Sequence, residues 1–506
     1  MHHFDLIVIG SGPGGQRAAT QAAKLRKRVA ICERRRDVGG VCINTGTIPS
    51  KTLREAVIDL SGLRQRTLYG ESFRAKRQVR VEDLLLRAHH VMRAERDVVR
   101  AQLRRNGITL FEGMARFEGP RAVVVDTGSD LIRLDAPNVV IAPGSAPAVP
   151  PGLTVDHHTV LTSDDILALP RLPHSMIVVG ASIIGVEYAT MFATLGVEVT
   201  LIDKRQDLLD MVDREIVDAF TYQARELGVV TRLGEEVARL ETDGQGHALV
   251  VMKSGKRFAS DLVLVSAGRH GATDGLGLEK AGVAADARGR IQVNEHFETG
   301  VPGIYAVGDV VGAPALASTS SEQGRLAACH MFGVEARSIP ELYAFGIYAI
   351  PEIAWVGSHE TLLTKQAIPY ETGVARYKEI ARGQILGDLN GMLKLIFHLD
   401  TRKLLGVWAL GAQATELVHI GQAVMGLGGT LDYFVEGVFN YPTLAACYKV
   451  AALLDGFNKL QELASVSAVS PGAPVGAQPN EEATPLSARG LGELTAVSAH
   501  GALRSA

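Results

Sequence analysis

Between the apolar run Leu6-Ile7-Val8-Ile9 and an alanine-rich stretch stands Gly10-Ser11-Gly12-Pro13-Gly14-Gly15. Glycines at the first, third and sixth places suit a loop that cradles a dinucleotide. Gly10 permits the tight turn, Gly12 lets the backbone approach the pyrophosphate, and Gly15 lets the next helix lie close on the strand. The phosphates then meet the N–H groups of the helix N-terminus. Glu33 closes the following apolar run, about where an acidic side chain accepts a hydrogen bond from a ribose hydroxyl. A second loop reads Gly180-Ala181-Ser182-Ile183-Ile184-Gly185, with Asp203 ending its next apolar strand. Ser182 breaks the glycine pattern there: its side chain either crowds the pyrophosphate or donates a hydrogen bond to it. Asp203 suits the two ribose hydroxyls of NAD, and Lys204 and Arg205 suit the 2′-phosphate of NADP. An ordinary solvated pair of basic residues is the competing reading for those two.

These loops need strands and helices to hold them. Leu6 to Ile9, an alanine-rich helix over 16–25 and the apolar run 28–31 make a βαβ unit. A second such unit begins at Ser175-Met176-Ile177-Val178-Val179-Gly180, so the chain repeats one architecture. A long amphipathic helix is expected over 81–107, with Leu84, Ala88, Val91, Val98 and Leu103 on its apolar face and Asn106-Gly107 as its stop. The proline-rich stretch 143–151 reads as a domain boundary. Ile304 to Val307 leads back to a Gly-Asp turn, and strands and helices alternate beyond about 338. Residues 461–506 turn to Ala, Ser, Gly and Pro without apolar periodicity and read as a disordered tail.

With 506 residues, 46% of them hydrophobic, the chain has material for more than one domain and a large core. A formal net charge of −3 from mixed charges gives no electrostatic case for nucleic acid or an acidic membrane surface. No apolar run reaches spanning length and no leader precedes Phe4. Four scattered cysteines, Cys32, Cys42, Cys329 and Cys447, favour a reducing compartment over a disulfide framework, and the expected location is the cytoplasm. No metal site is expected.

Residues 39–51, Gly-Gly-Val-Cys-Ile-Asn-Thr-Gly-Thr-Ile-Pro-Ser-Lys, resemble the redox-active segment of the FAD-dependent pyridine nucleotide-disulfide oxidoreductases, class I. Thr47 stands where that family carries its second cysteine. Ile304-Tyr305-Ala306-Val307-Gly308-Asp309 resembles the family's second FAD motif, and the resemblance runs from Asp5 to about Leu460. The wording of residues 46–51 is closest to the Si-specific NAD(P) transhydrogenases within the family.

The resemblance implies an α/β fold: two Rossmann-like domains, for FAD and NAD(P), and an α+β C-terminal dimerisation domain. The implied boundaries are 1–150 and 270–337 for FAD, 151–269 for NAD(P), and 338–460 for the interface of a homodimer. FAD contacts are expected from residues 10–15 and Glu33, from Arg34, Arg35, Arg36, Asp37, Val38, Gly39, Gly40, Val41 and Cys42, and from Ala115, Gly144 and Asp309. The helix from Ala317 is expected to place its N-terminal dipole at the flavin. Gly180, Ser182, Gly185, Asp203, Lys204, Arg205 and Gly268 are expected at NAD(P). Thr47 and the pair Lys51 and Glu187 are expected beside the reacting ring. Cys42 has no resolving partner in its segment and reads as a small packed residue. Tyr441 and Ala446 stand where the disulfide reductases carry their acid–base histidine and glutamate. Together these substitutions imply hydride exchange between NADPH and NAD without a redox disulfide. Two alternatives stay open: an NAD(P)H dehydrogenase that feeds a quinone, and a catalytically weakened nucleotide sensor.

Overall fold

The structure is a computed structural model that describes residues 1–70, 72–242, 246–336 and 342–468. Residues 1–460 form one compact unit. The tail expected to be disordered over 461–506 instead begins within a helix, Phe457–Ala468. Residues 469–506 lie outside the described residues.

Leu6–Ile9 is the middle strand of a five-stranded parallel sheet, flanked by Val29–Glu33 and Asn138–Ile141, with Thr109–Glu112 and Ile304–Ala306 at the edges. A parallel strand buried on both faces needs apolar residues throughout, which is why this one reads as an unbroken run. Leu6 and Val8 face the helices, while Ile7 and Ile9 face a layer of antiparallel strands that includes Met114–Phe117 and Ala122–Asp126. The loop helix Pro13–Lys24 lies against Ala317–Met331 almost backbone to backbone. A Cβ on Gly324 would stand 2.0 Å from the Gly14 carbonyl oxygen, so only glycine permits this crossing.

The chain leaves this sheet and builds a second parallel one from Val160–Thr162, Ser175–Val179, Glu198–Asp203, Val230–Leu233 and Leu262–Val265. Its loop helix, Ile183–Thr194, is buried from Gly185 through Thr194, as an all-round apolar helix must be. The proline-rich stretch is more than a linker. Ser145–Pro147 pairs antiparallel with Arg269–Gly271, so the outgoing and returning crossings are tied side by side.

Past residue 342 an antiparallel sheet runs in the order Phe345–Ile347, Ile353–Gly357, Leu404–Leu410, Met392–His398, Tyr370–Arg376. Its last strand is an edge, and Asp455 and Lys459 cover it. The Asp455 carboxylate accepts the Val374 N–H at 2.9 Å, and Lys459 donates to the Thr372 carbonyl at 2.9 Å. Pairing the edge this way removes a template for association with another strand.

The long helix spans Val81–Arg105, but its buried stripe differs from the expected one. Leu84, Ala88 and Leu103 are buried, whereas Val98 is exposed, Val91 is half-exposed, and Met92 and Val99 face inward. The apolar run offers two stripes one residue apart, and the neighbouring helix Thr47–Ser61 selects between them.

Candidate cofactor and nucleotide site

A cleft opens where the first parallel sheet ends. It is lined by Gly10, Ser11, Gly12, Pro13 and Gly14, by Glu33, Arg34 and Arg35, by Gly40, Val41, Cys42 and Thr47, and by Ala115, Gly144, Asp309 and Ala317. The Glu33 carboxylate is buried. Its Oε2 accepts from Ser11 N (3.0 Å) and Ser11 Oγ (2.5 Å), and its Oε1 from Arg35 N (3.0 Å). The Ser11 hydroxyl oxygen in turn accepts the Gly39 N–H at 2.9 Å. A Cβ on Gly12 would meet nothing within 4 Å, so open space lies where a pyrophosphate would sit against the loop. Asp309 accepts a 2.6 Å hydrogen bond from Ser145 Oγ on the far side. The fifteen-residue helix from Ala317 starts at the same wall. A cleft that joins an acidic residue, a helix N-terminus and open glycine backbone fits FAD.

Several residues expected at the cofactor do not line this cleft. Gly15 faces the Gly10 carbonyl, where a Cβ would stand at 2.0 Å. Arg36 gives its carbonyl to Arg100, and Asp37 pairs with Arg96 at 3.0 Å. Val38 is wholly buried in the core, and Gly39 is engaged by Ser11. The turn after Glu33 alternates between cleft and core, which a run of adjacent residues in sequence does not reveal.

Cys42 stands in the cleft wall beside Thr47, a correction to its reading as a packed residue. Burial raises its thiol pKa, although hydrogen bonding to Thr47 acts the other way. Cys32, Cys329 and Cys447 are free and buried, and burial pushes the thiols of Cys32 and Cys447 up to about 12. Among the described residues, two free thiols line the cleft, Cys42 and the buried Cys32, both kept protonated by burial, and the position beside Cys42 carries the Thr47 hydroxyl in place of a second thiol.

Lys51 lies one helical turn beyond Thr47, outside the lining of the cleft. Its Nζ donates to both carboxylate oxygens of Glu187, at 3.0 and 2.9 Å, and to Ser50 Oγ at 3.2 Å. Glu187 has a side chain only 3% exposed, so this is a desolvated charge on a fixed partner. Tyr348 joins this pair without any mark in the sequence. Its N–H donates to Glu187 Oε1 at 2.8 Å, and its ring centroid lies 5.0 Å from Lys51 Nζ. Nearby, Arg54 donates to the Ala349 carbonyl and pairs with Glu352 at 3.0 Å, and Thr190 Oγ1 accepts the Ile350 N–H. Residues 348–352 thus hold Lys51 and Glu187 from the third sheet, and nothing in their local sequence marks them for it.

In the second loop, Ser182 is the N-cap of Ile183–Thr194 with an extended φ of −89°, so a side chain costs no backbone strain. Its hydroxyl makes no capping hydrogen bond. Gly180 and Gly185 close the turn at the end of the strand, and Gly268 lies where the chain leaves this sheet, its carbonyl accepting the Ala148 N–H at 2.9 Å. Asp203 is buried and ion-paired with Arg205 at 2.9 Å, while Lys204 is exposed. Elsewhere, Tyr441 is 73% exposed and Ala446 opens the short helix Ala446–Lys449.

The family profile for pyridine nucleotide-disulphide oxidoreductases matches residues 4–324, and the profile of that family's dimerisation domain matches residues 343–452. The chain is 53% identical, over 92% of its length and 99% of the relative's, to a protein of Mycobacterium bovis named soluble pyridine nucleotide transhydrogenase. Proteins of the same name from Chromohalobacter salexigens and Photorhabdus laumondii are 43% and 44% identical, over 91% and 90% of this chain and 99% of each relative. Among solved structures, the Cu(II) complex of the HOCl-induced flavoprotein disulfide reductase RclA from Escherichia coli superposes with a TM-score of 0.82 at 26% identity, covering 90% of this chain and 100% of that one. With two profiles spanning the three sheets and relatives matched over nearly their whole length, the chain belongs to the pyridine nucleotide-disulphide oxidoreductase family.

Proposed function

We infer that this chain is a pyridine nucleotide transhydrogenase that moves reducing equivalents between NADPH and NAD. The observation that carries the reading is Thr47 beside a protonated Cys42 in the cleft wall, in a segment 39–51 with no second cysteine and in a chain whose relatives carry that name. Bound FAD supplies the reversible acceptor of two electrons and a proton that such an exchange needs. The chain's own residues bind and orient. Residues 10–14 and Glu33 hold the dinucleotide along the cleft, and Asp309 holds its ribityl end. Lys51, clamped by Glu187, sets a positive charge beside the reacting ring. Thr47 offers a hydroxyl where a thiol would divert electrons. The helix from Ala317 places its positive end where negative charge develops on reduction.

The loop at 180–185 would take each nicotinamide nucleotide in turn, one leaving before the next enters. Its domain would run from 151 to 269, between FAD segments 1–150 and 270–337, with residues 338–460 forming the interface of a homodimer. The matched dimerisation domain supports that assembly, and exposed Leu427, Val438 and Tyr441 supply apolar surface for it. No helix among the described residues is long and apolar enough to cross a membrane. The name shared by the relatives and the free thiols support residence in the cytoplasm. The test is steady-state turnover of purified protein with NADPH and a thio-NAD acceptor. Sustained formation of reduced thio-NAD supports the reading, and quinone reduction without it would replace the reading with an NAD(P)H dehydrogenase.

A further inference from the structure

A transhydrogenase with one nucleotide loop must accept a ribose that carries a 2′-phosphate and one that carries a free diol. An acidic residue at the end of the second strand favours the diol and repels the phosphate. Asp203 occupies that place, but its carboxylate differs in state from Glu33 at the corresponding place in the first loop. A carboxylate offers about four acceptor positions. Oδ1 of Asp203 accepts Arg205 N (2.8 Å) and Arg205 Nε (3.1 Å), and Oδ2 accepts Ala181 N (2.7 Å) and Arg205 Nη2 (2.9 Å). All four positions are taken. Glu33 accepts three neutral donors and, among the described residues, no guanidinium.

Withdrawing the Arg205 side chain would free one position on each oxygen of Asp203, which is what two adjacent ribose hydroxyls require. With the side chain in place, the Asp203 charge is neutralised and a guanidinium stands beside the 2′ position. The Arg205 side chain is 34% exposed, and its remaining nitrogen, Nη1, already donates to Asp210 Oδ1 at 3.3 Å, an anchor that would hold the guanidinium once it leaves Asp203. The other charges around this turn are exposed Lys204, with Glu236 near it, and Glu235, which is engaged by Lys256.

We propose that Arg205 is the specificity switch of the nucleotide pocket. Latched on Asp203 it admits the 2′-phosphorylated ribose of NADP(H), and swung towards Asp210 it releases Asp203 to bind the diol of NAD(H). This rests on the transhydrogenase reading. The test measures KM and Kd for NADPH and NADH separately in the wild type, Arg205→Ala, Arg205→Lys and Asp203→Asn. Arg205→Ala should raise the NADPH constants about tenfold or more, the loss of one charge-assisted phosphate contact. It should lower those for NADH, because Asp203 is then permanently free. Arg205→Lys, which keeps charge but not the two-pronged latch, should fall between wild type and alanine for NADPH. Asp203→Asn should raise the NADH constants about tenfold and those for NADPH less. Equal changes for both nucleotides in Arg205→Ala, or no change in either, would overturn the switch. A wild type that turns over both nucleotides in that case leaves the transhydrogenase reading standing. A wild type that accepts only one overturns that reading as well.

Discussion

At the scale of single residues, function here is written as a set of replaced groups. Thr47 in place of a thiol removes one redox centre, and the raised pKa of Cys42 keeps the other sulfur protonated near neutrality. FAD should then be the sole electron store, so anaerobic dithionite titration should reach full reduction at about two electrons per FAD, without a long-wavelength charge-transfer band. An uptake near four would reveal a disulfide. Lys51 and Glu187 make a stronger energetic statement. Glu187 is buried, and without Lys51 its carboxylate would keep the Tyr348 N–H but lose its countercharge, so Lys51→Met should lower kcat and also destabilise the fold by about 3 kcal/mol. Adding Glu187→Leu should restore most of the stability and none of the kcat, as thermal unfolding beside turnover would read. A double variant as unstable as Lys51→Met alone would show that packing, not charge, is what the pair supplies.

At the scale of elements, two features carry costs that can be measured. Arg26 follows the end of helix Pro13–Lys24 and holds φ of +61°, a conformation an L-residue adopts at a cost of about 1 kcal/mol. After allowing for the greater freedom of glycine in the unfolded chain, Arg26→Gly should stabilise the protein by about 0.5 kcal/mol in urea titration. Loss of stability would mean that the Arg26 side chain makes a compensating contact. The second feature is Lys394 on Met392–His398. It is fully buried and its ammonium meets Asp213 at 2.9 Å, Glu215 at 3.2 Å and Glu360. Burial alone would lower its pKa, but hydrogen bonding to Glu360 and the charge of Asp213 raise it well above the lysine range. A raised folded pKa means that its stabilisation is complete below about pH 10 and fades as pH climbs through the folded value. Lys394→Met should cost about 3–5 kcal/mol near neutral pH, because it strands the buried Asp213 carboxylate. The gap to wild type should narrow in strongly alkaline solution, and a gap that widens there would contradict this account.

At the scale of the whole molecule, FAD in the cleft at residues 10–14 would leave the loop at 180–185 to take both nicotinamide nucleotides in turn. Initial rates with NADPH and thio-NAD varied together should give parallel double-reciprocal lines, the pattern of an exchange in which the first product leaves before the second substrate binds. Intersecting lines would require a second nucleotide site. The segment 348–352 gives this scale its structural content, since it reaches from the third sheet to Lys51, Arg54, Glu187 and Thr190. The sheet expected to carry the subunit interface therefore also braces the Lys51–Glu187 pair.

The local patterns of the chain determine its two loops and the strands beneath them, because a parallel strand buried on both faces and a glycine turn before a helix leave short-range marks. Glu33 was legible for the same reason, lying a fixed number of residues beyond its loop. Lys51 and Glu187 were legible only through family resemblance, since 136 positions separate them and no local periodicity connects the two. Tyr348, the latch of Arg205 on Asp203, and the choice of Met92 and Val99 over Val91 and Val98 were decided by tertiary structure alone. Each depends on which neighbour arrives from elsewhere: a turn of another sheet, a carboxylate already held by its loop, a helix that selects one of two stripes. Such choices rest on distances and on competition for acceptors and buried surface, and these exist only once the chain has folded.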